Sequence, residues 1–191
     1  MIFTPRLEKA ITVAARAHRE QTRKGSDIPY IIHPFSVMAI AGEVTSDEDT
    51  LIACLFHDII EDVPEEYSEA RMRQEFGDRV TDIVRGVTKD DTLGDWYAVS
   101  KGYLQHLELK ASDESVIVSA ADKTHNLMSV LADYDKMGDE VWQKFSTKSA
   151  DDQLWWYQSV LEVITKRQAP QLLIDKLSSL ITELQTKLVI K

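Results

Sequence analysis

Residues 51–62 read Leu51-Ile52-Ala53-Cys54-Leu55-Phe56-His57-Asp58-Ile59-Ile60-Glu61-Asp62. Six apolar residues run directly into one histidine and three carboxylates. On a helix, side chains four apart share a face. His57 then lies over Glu61 and Asp58 over Asp62, and the four polar groups form one wide edge beside a packed segment. Ser46, with Asp49 three residues later, is the expected cap of this helix, and Pro64 ends it after about Asp62. Carboxylates emerging from such a segment are costly to bury unpaired. A divalent cation would remove that cost, because it supplies charge and coordination together. An exposed acidic helix end with a solvated histidine accounts for the same residues.

The helical pattern extends outward in both directions. Thr4-Pro5 reads as a cap followed by proline at the first helical position. Leu7, Ala10, Ile11, Ala14 and Ala17 form an apolar stripe running to about Gln21. Residues 22–32 form a loop, and a helix starts near His33-Pro34. Further helices are expected at Ser68 to Phe76, Arg79 to Val87, Trp96 to Ala111, Ser115 to Lys136, from Val141 or Lys148 to Arg167, and Gln171 to Ile190. Ser115-Val116-Ile117-Val118 is the one short strand candidate. The expectation is an all-α fold of eight to ten helices in a single domain over residues 1–191. Its motifs fall within about residues 4–165, and its last helix packs on its own chain or on a second copy.

Of the 191 residues, 43% are hydrophobic, enough for a sizeable core. The 32 acidic side chains outnumber the 22 basic ones, for a formal charge of −10. That balance argues against a general nucleic-acid surface. The apolar runs are far shorter than the roughly twenty residues a membrane helix needs, and the N-terminus lacks a signal-peptide layout. A single cysteine, Cys54, cannot form an internal disulfide, and its apolar surroundings read as a buried, inert thiol. The expected setting is cytoplasmic, without nucleic-acid or membrane partners and with room for a homo-oligomer.

Two more clusters carry chemistry. In Ala120-Ala121-Asp122-Lys123-Thr124-His125-Asn126-Leu127, Asp122 and Asn126 share a face of a core-facing helix, where aspartate is rare without a partner. A buried Asp122 paired with a lysine or an amide is the plain structural alternative, and His125 reads as a packed or capping side chain. In Gln21-Thr22-Arg23-Lys24-Gly25-Ser26-Asp27-Ile28-Pro29-Tyr30-Ile31-Ile32-His33-Pro34, two cations open a glycine-containing loop. Such a loop can hold an anion, or it is a basic surface turn. Taken together, His33, His57, Asp58 and Asp122 supply two imidazoles and two carboxylates. That mixed donor set suits Mn, Fe, Co or Zn, with its hard oxygens favouring Mn or Fe. Glu61 and Asp62, one turn beyond, are placed to orient or deprotonate a water.

This layout resembles the HD-domain metal-dependent phosphohydrolases. Arg23-Lys24-Gly25-Ser26 with Pro29-Tyr30-Ile31-Ile32-His33-Pro34, His57-Asp58-Ile59-Ile60-Glu61-Asp62, and Ala121-Asp122-Lys123-Thr124-His125-Asn126-Leu127 resemble three motifs of the (p)ppGpp hydrolase domain of RelA/SpoT proteins, in the same order. The resemblance implies an HD helical bundle. It also implies a stand-alone small alarmone hydrolase, since 191 residues leave no room for a synthetase or regulatory domain. The activity implied is Mn²⁺-dependent removal of the 3′-pyrophosphate of ppGpp or pppGpp, giving GDP or GTP and pyrophosphate. The metal ligands implied are His33, His57, Asp58 and Asp122, with Glu61 and Asp62 activating water. Arg23, Lys24 and Ser26 correspond to the nucleotide-binding loop, with Arg23 against the purine. Asn126 and Ser129 correspond to positions near ribose and base, and Tyr157 to a late aromatic beside the nucleotide. Core packing is the other reading of Trp155-Trp156-Tyr157. Three features depart from the family pattern: Ser119 and Met128 stand where members often carry Lys and Arg, and residues 92–102 hold only Lys101 as a cation. These departures leave open a phosphohydrolase of another nucleotide (an NADPH phosphatase or a nucleotidase) and a non-catalytic nucleotide-binding module.

Overall fold

A computed structural model describes residues 3–189. These form ten α-helices: α1 (Pro5–Ala17), α2 (Ile32–Ala41), α3 (Glu48–Phe56), α4 (Ile59–Asp62), α5 (Glu69–Phe76), α6 (Asp78–Arg85), α7 (Trp96–Leu109), α8 (Asp113–Met137), α9 (Ala150–Lys166) and α10 (Gln171–Val189). Short 3-10 turns occupy Asp91–Leu93 and Gly138–Lys144. Among the described residues there is no strand, only an isolated bridge between Thr22 and Pro29. The fold is all-α, and no helix among the described residues is long and apolar enough to cross a membrane.

α3 is the innermost helix. Every residue from Thr50 to Phe56 is buried, and the helix packs against α1, α2, α6 and α8. α8, 25 residues long, runs past α2, α3, α9 and α10 and links both ends of the chain. α10 lays Leu173, Leu177, Ile181 and Leu184 against α8 and α9, so the last helix packs on its own chain. Lys176 to Glu43, at 2.6 Å, and Lys187 to Asp135 pin its outer face. Cys54 is fully buried, and burial pushes its thiol far above the usual range, as expected of an inert thiol.

Several boundaries differ from the sequence expectation. α1 stops at Ala17, short of Gln21, because the following residues turn into a loop closed by Arg23 N–H to Ile28 O at 2.8 Å and Tyr30 N–H to Gln21 O at 2.9 Å. The cap of α3 is Asp47, one residue after Ser46; its Oδ2 accepts from Thr50 N–H at 2.9 Å and from Thr50 Oγ1 at 2.6 Å. The helix expected to continue to Asp62 is broken at His57-Asp58, where the Cys54 carbonyl is taken by the His57 side chain, with Nδ1 2.8 Å from the oxygen. The strand candidate at residues 115–118 lies inside α8, whose cap Ser112 accepts from Ser115 N–H. Residues 141–144 form a 3-10 turn, so α9 begins only at Ala150, two residues beyond the later expected start. The expected last helical residue, Ile190, lies outside the described residues.

Two positions give stability predictions. A Cβ built on buried Gly86 would collide with Ser115 Oγ, and that hydroxyl donates to Ile83 O at 2.9 Å. Gly86→Ala should therefore cost about 1–3 kcal/mol in denaturant unfolding, and wild-type stability would show that α6 can move away from α8. At the α3 cap, burial opposes the Asp47 charge, but Arg79 at 2.8 Å and Thr50 outweigh it and hold the carboxyl down at about 2. A depressed carboxyl stabilises above its unfolded value, about 3.9, and loses that stabilisation as pH falls through its folded value. Asp47→Ala should cost about 1 kcal/mol at pH 7. The gap to wild type should close between about pH 4 and pH 2 in chemical denaturation, whereas a gap unchanged down to pH 2 would leave the cap with no charge-dependent part.

Candidate metal centre and active site

Three stretches of chain bring their polar residues to one point. α2 carries His33 in its first turn, the α3–α4 break carries His57 and Asp58, and the middle of α8 carries Asp122. On a continuous helix His57 and Asp58 would point about 100° apart. The break lets both reach the same place, with His57 Nε2 2.9 Å from Asp58 Oδ2. His33 Nε2 lies 3.1 Å from His57 Nε2, 3.4 Å from Asp58 Oδ2 and 3.2 Å from Asp122 Oδ1. Asp122 Oδ1 is 3.6 Å from His57 Nε2.

These distances fit a metal. Ligand bonds of about 2.1 Å put neighbouring corners of an octahedron about 3 Å apart. Potential ligand atoms of His33, His57 and Asp58 all lie within 4.8 Å of one another. Asp122 Oδ1 approaches the group from the side of the two imidazoles. The remaining lone pairs are directed by neighbours. Tyr30 OH donates to Asp58 Oδ2 at 2.6 Å, Asn126 Nδ2 donates to Asp122 Oδ1 at 2.5 Å, and Lys123 Nζ pairs with Asp122 Oδ2. Burial opposes both carboxylate charges. For Asp58 it is outweighed by His57 and His33, and for Asp122 by Lys123 and the same two histidines, so both carboxyls sit well below the ordinary range. Burial likewise opposes charge on His57, yet the facing carboxylates hold its imidazole well above the usual value. The group calls for positive charge at its centre.

Beside it opens a cleft of about 1290 Å³, large enough for a nucleotide; Tyr30, Lys123 and Asn126, which bond the two carboxylates, line it, and the four donors sit behind them. Glu61, Lys123, His125 and Asn126 stand on its wall nearest the four donors. Glu61 Oε1 accepts from the Lys89 N–H at 2.6 Å, which fixes one of its oxygens to the loop before α7. Asp62 stands apart: it is exposed and off the cleft wall, and desolvation together with Asp58 and Glu61 raises its carboxyl to about 6. Arg23, Lys24, Ser26, Ser129 and Tyr157 also line the cleft. Arg23 Nη2 donates to Asn126 Oδ1 at 3.2 Å and to Ser129 Oγ at 3.4 Å, and the guanidinium lies 5.6 Å from the Tyr30 ring centre. Trp156 and Tyr157 are buried and also face the cleft, so core packing and cleft lining both hold for them, while Trp155 packs on Trp96 and Tyr97.

Sequence reasoning gave several members no role, although it offered a lysine partner for a buried Asp122, which Lys123 supplies. Tyr30 sat in the loop motif without a role. Lys123 Nζ lies 5.2 Å from the centre of Tyr103 and 5.6 Å from that of Trp156, a buried cation held between rings and Asp122. His125, read as a packed or capping side chain, has its Nδ1 2.7 Å from His33 Nδ1. Lys89, Lys136, Lys144 and Trp96 reach the cleft from separate elements, and no local pattern marks them.

Comparison with known proteins gives the family and the fold. The chain is 39% identical over 129 residues to the bifunctional (p)ppGpp synthase/hydrolase SpoT of Escherichia coli K12, covering 65% of this chain and 18% of the relative. It is 31% identical over 152 residues to a GTP pyrophosphokinase of Myxococcus xanthus, covering 76% of this chain and 19% of the relative. The chain thus spans under a fifth of the length of either of these curated relatives. The solved structure of a metazoan ortholog of SpoT, described as hydrolysing ppGpp, superposes with a TM-score of 0.79 over 96% of this chain and 97% of its own, at 24% identity, which speaks for the shared fold. A crystal structure from Listeria monocytogenes matches with a TM-score of 0.70 at 26% identity, over 83% of this chain and 99% of its own. The HD-domain family model matches residues 10–149, the span that holds all four converging donors, and the chain belongs to that family.

Proposed function

We propose that this chain is a single HD-type hydrolase domain that removes the 3′-pyrophosphate of ppGpp or pppGpp, releasing GDP or GTP and pyrophosphate. The observation that carries this reading is the meeting of His33, His57, Asp58 and Asp122 beside a cleft walled by cations. The names of the similar relatives and of the SpoT ortholog supply the substrate class. The metal held by these four residues is Mn²⁺, by the mixed imidazole and carboxylate donor set. When bound, it supplies Lewis acidity toward a phosphate oxygen and lowers the pKa of water.

The chain's own residues do the rest. In the hydrolysis, a water oxygen bonds the phosphorus nearest the ribose and the bond from that phosphorus to the 3′ oxygen breaks. One proton leaves the water and one returns to the 3′ oxygen. Glu61, on the cleft wall with one oxygen fixed by the Lys89 amide, orients and deprotonates the water. Asp62, with its raised carboxyl, supports Glu61 from the outer edge. Arg23, held by Asn126 and Ser129, presents a flat cation to the purine, and Lys24 and Ser26 flank it on the loop. Tyr157 closes the apolar side of the cleft. The reaction belongs to a cytoplasmic setting.

One observation favours a less charged nucleotide. Where the cleft meets α7 its wall is Trp96, Val99 and Ser100, and Ser119, at a position where the family often has lysine, is fully buried and bonded to Tyr103 OH at 2.7 Å. The released product separates the readings: pyrophosphate from ppGpp for the first, inorganic phosphate from another nucleotide for the second. Incubation with Mn²⁺ and a nucleotide panel, read by ion-exchange chromatography, should give pyrophosphate from ppGpp, and an untouched ppGpp peak would refute the assignment.

Two variants test the roles. Asp58→Ala should abolish measurable Mn²⁺ uptake in calorimetry along with turnover, because it removes a ligand oxygen from the centre of the group. Glu61→Gln should keep Mn²⁺ affinity and lose about 10²–10⁴-fold in kcat, and wild-type turnover in this variant would remove Glu61 from water activation.

A further inference from the structure

His33 and His125 face each other through their Nδ1 atoms, 2.7 Å apart, with ring centres 4.9 Å apart. One proton lies between two neutral imidazole nitrogens at that distance, and its owner follows from the surroundings. His33 Nε2 is the atom that faces His57, Asp58 and Asp122. As a metal ligand it carries no proton, so the neutral His33 ring carries its proton on Nδ1. His57 is arranged the same way: its Nδ1 lies 2.8 Å from the Cys54 carbonyl, which can only accept, and this frees Nε2. His33 Nδ1–H therefore donates and His125 Nδ1 accepts. A neutral His125 must then hold its own proton on Nε2. That nitrogen has no hydrogen-bond partner among the described residues, and His125 stands on the cleft wall next to Lys123 and Asn126.

We infer that His125 is a positioning residue: a neutral imidazole that locks His33 in its metal-facing tautomer and offers an N–H to an oxygen of the anionic substrate. It ties the orientation of a metal ligand to the occupancy of the cleft through a single ring. The lysines and Arg23 around the cleft cannot replace it, because they donate only and have no lone pair for His33. The inference rests on the metal reading of His33.

The test compares His125→Phe, which fills the space without a polar atom, with His125→Gln, whose side-chain oxygen can accept from His33 while its amide donates to the cleft. Mn²⁺ is titrated calorimetrically into each metal-free protein. Affinity should fall about 10–100-fold in His125→Phe and stay within a few fold of wild type in His125→Gln. Because the Phe variant could fold poorly, the wild type is also examined with ¹⁵N-labelled histidine and Zn²⁺ as a diamagnetic probe. Long-range ¹H–¹⁵N spectra should show His33 and His57 protonated on Nδ1 and His125 on Nε2. An Nδ1-protonated His125, or a folded Phe variant that binds Mn²⁺ as tightly as wild type, would overturn the inference. A wild type that takes up no Mn²⁺ overturns the metal reading beneath it.

Discussion

Two carboxylates drawn out of water govern this structure. Asp58 and Asp122 sit beside two buried imidazoles, where an uncompensated charge costs several kcal/mol even after relaxation. The fold meets that cost piecemeal. Tyr30, Lys123 and Asn126 each take up lone pairs from the outside of the group, leaving inward-facing atoms that share one focus. Lys123 sets one fixed cation against the two carboxylates, and without a metal the raised His57 imidazole supplies the other; under the proposed reading a divalent ion would take the place of that proton at the centre of the group. Structure and chemistry here are set by the same two carboxylates.

The break between α3 and α4 is the backbone device that makes this focus. Continuing the helix would satisfy more main-chain hydrogen bonds but would turn His57 and Asp58 away from each other. The His57 ring takes the Cys54 carbonyl instead, so one side chain both ends the helix and orients itself. The seven buried residues of α3 before it anchor the break, and α8, 25 residues long, supplies the opposite wall.

Much of this was readable from residue spacing. The helical stripes of Leu7 to Ala17 and the Asp122–Asn126 pair were visible because helix geometry repeats locally, and the four donors stood out because imidazole and carboxylate are rare beside apolar runs. The HD order of motifs narrowed the rest. The break at His57 was not visible, since its cause is a side-chain bond that no periodicity encodes, and Asp47 displaced Ser46 as the cap because Arg79, distant in sequence, steadies it. Tyr30, Lys123 and His125 were each in a quoted motif, yet Tyr30 bonds Asp58 at the α3–α4 break, Lys123 meets rings on α7 and α9 besides its neighbour Asp122, and His125 meets His33 on α2. Their roles depend on which face α2 and α8 turn toward each other, a fact of packing. The cleft cations Lys136 and Lys144 lie in ordinary surface-like sequence and converge only through the turn after α8.

The donors come from three stretches of chain, α2, the α3–α4 break and α8, with His33 and Asp122 far apart along the sequence and joined by the packing of α2 on α8. No fragment of the chain holds the complete set. Metal uptake is therefore a reporter of finished tertiary structure: partly folded forms lack the focus, and the ion, by binding the native state alone, draws the folding equilibrium toward it in proportion to the logarithm of its free concentration. Under the proposed reading, the supply of that ion would set the folded fraction of the protein as well as its rate.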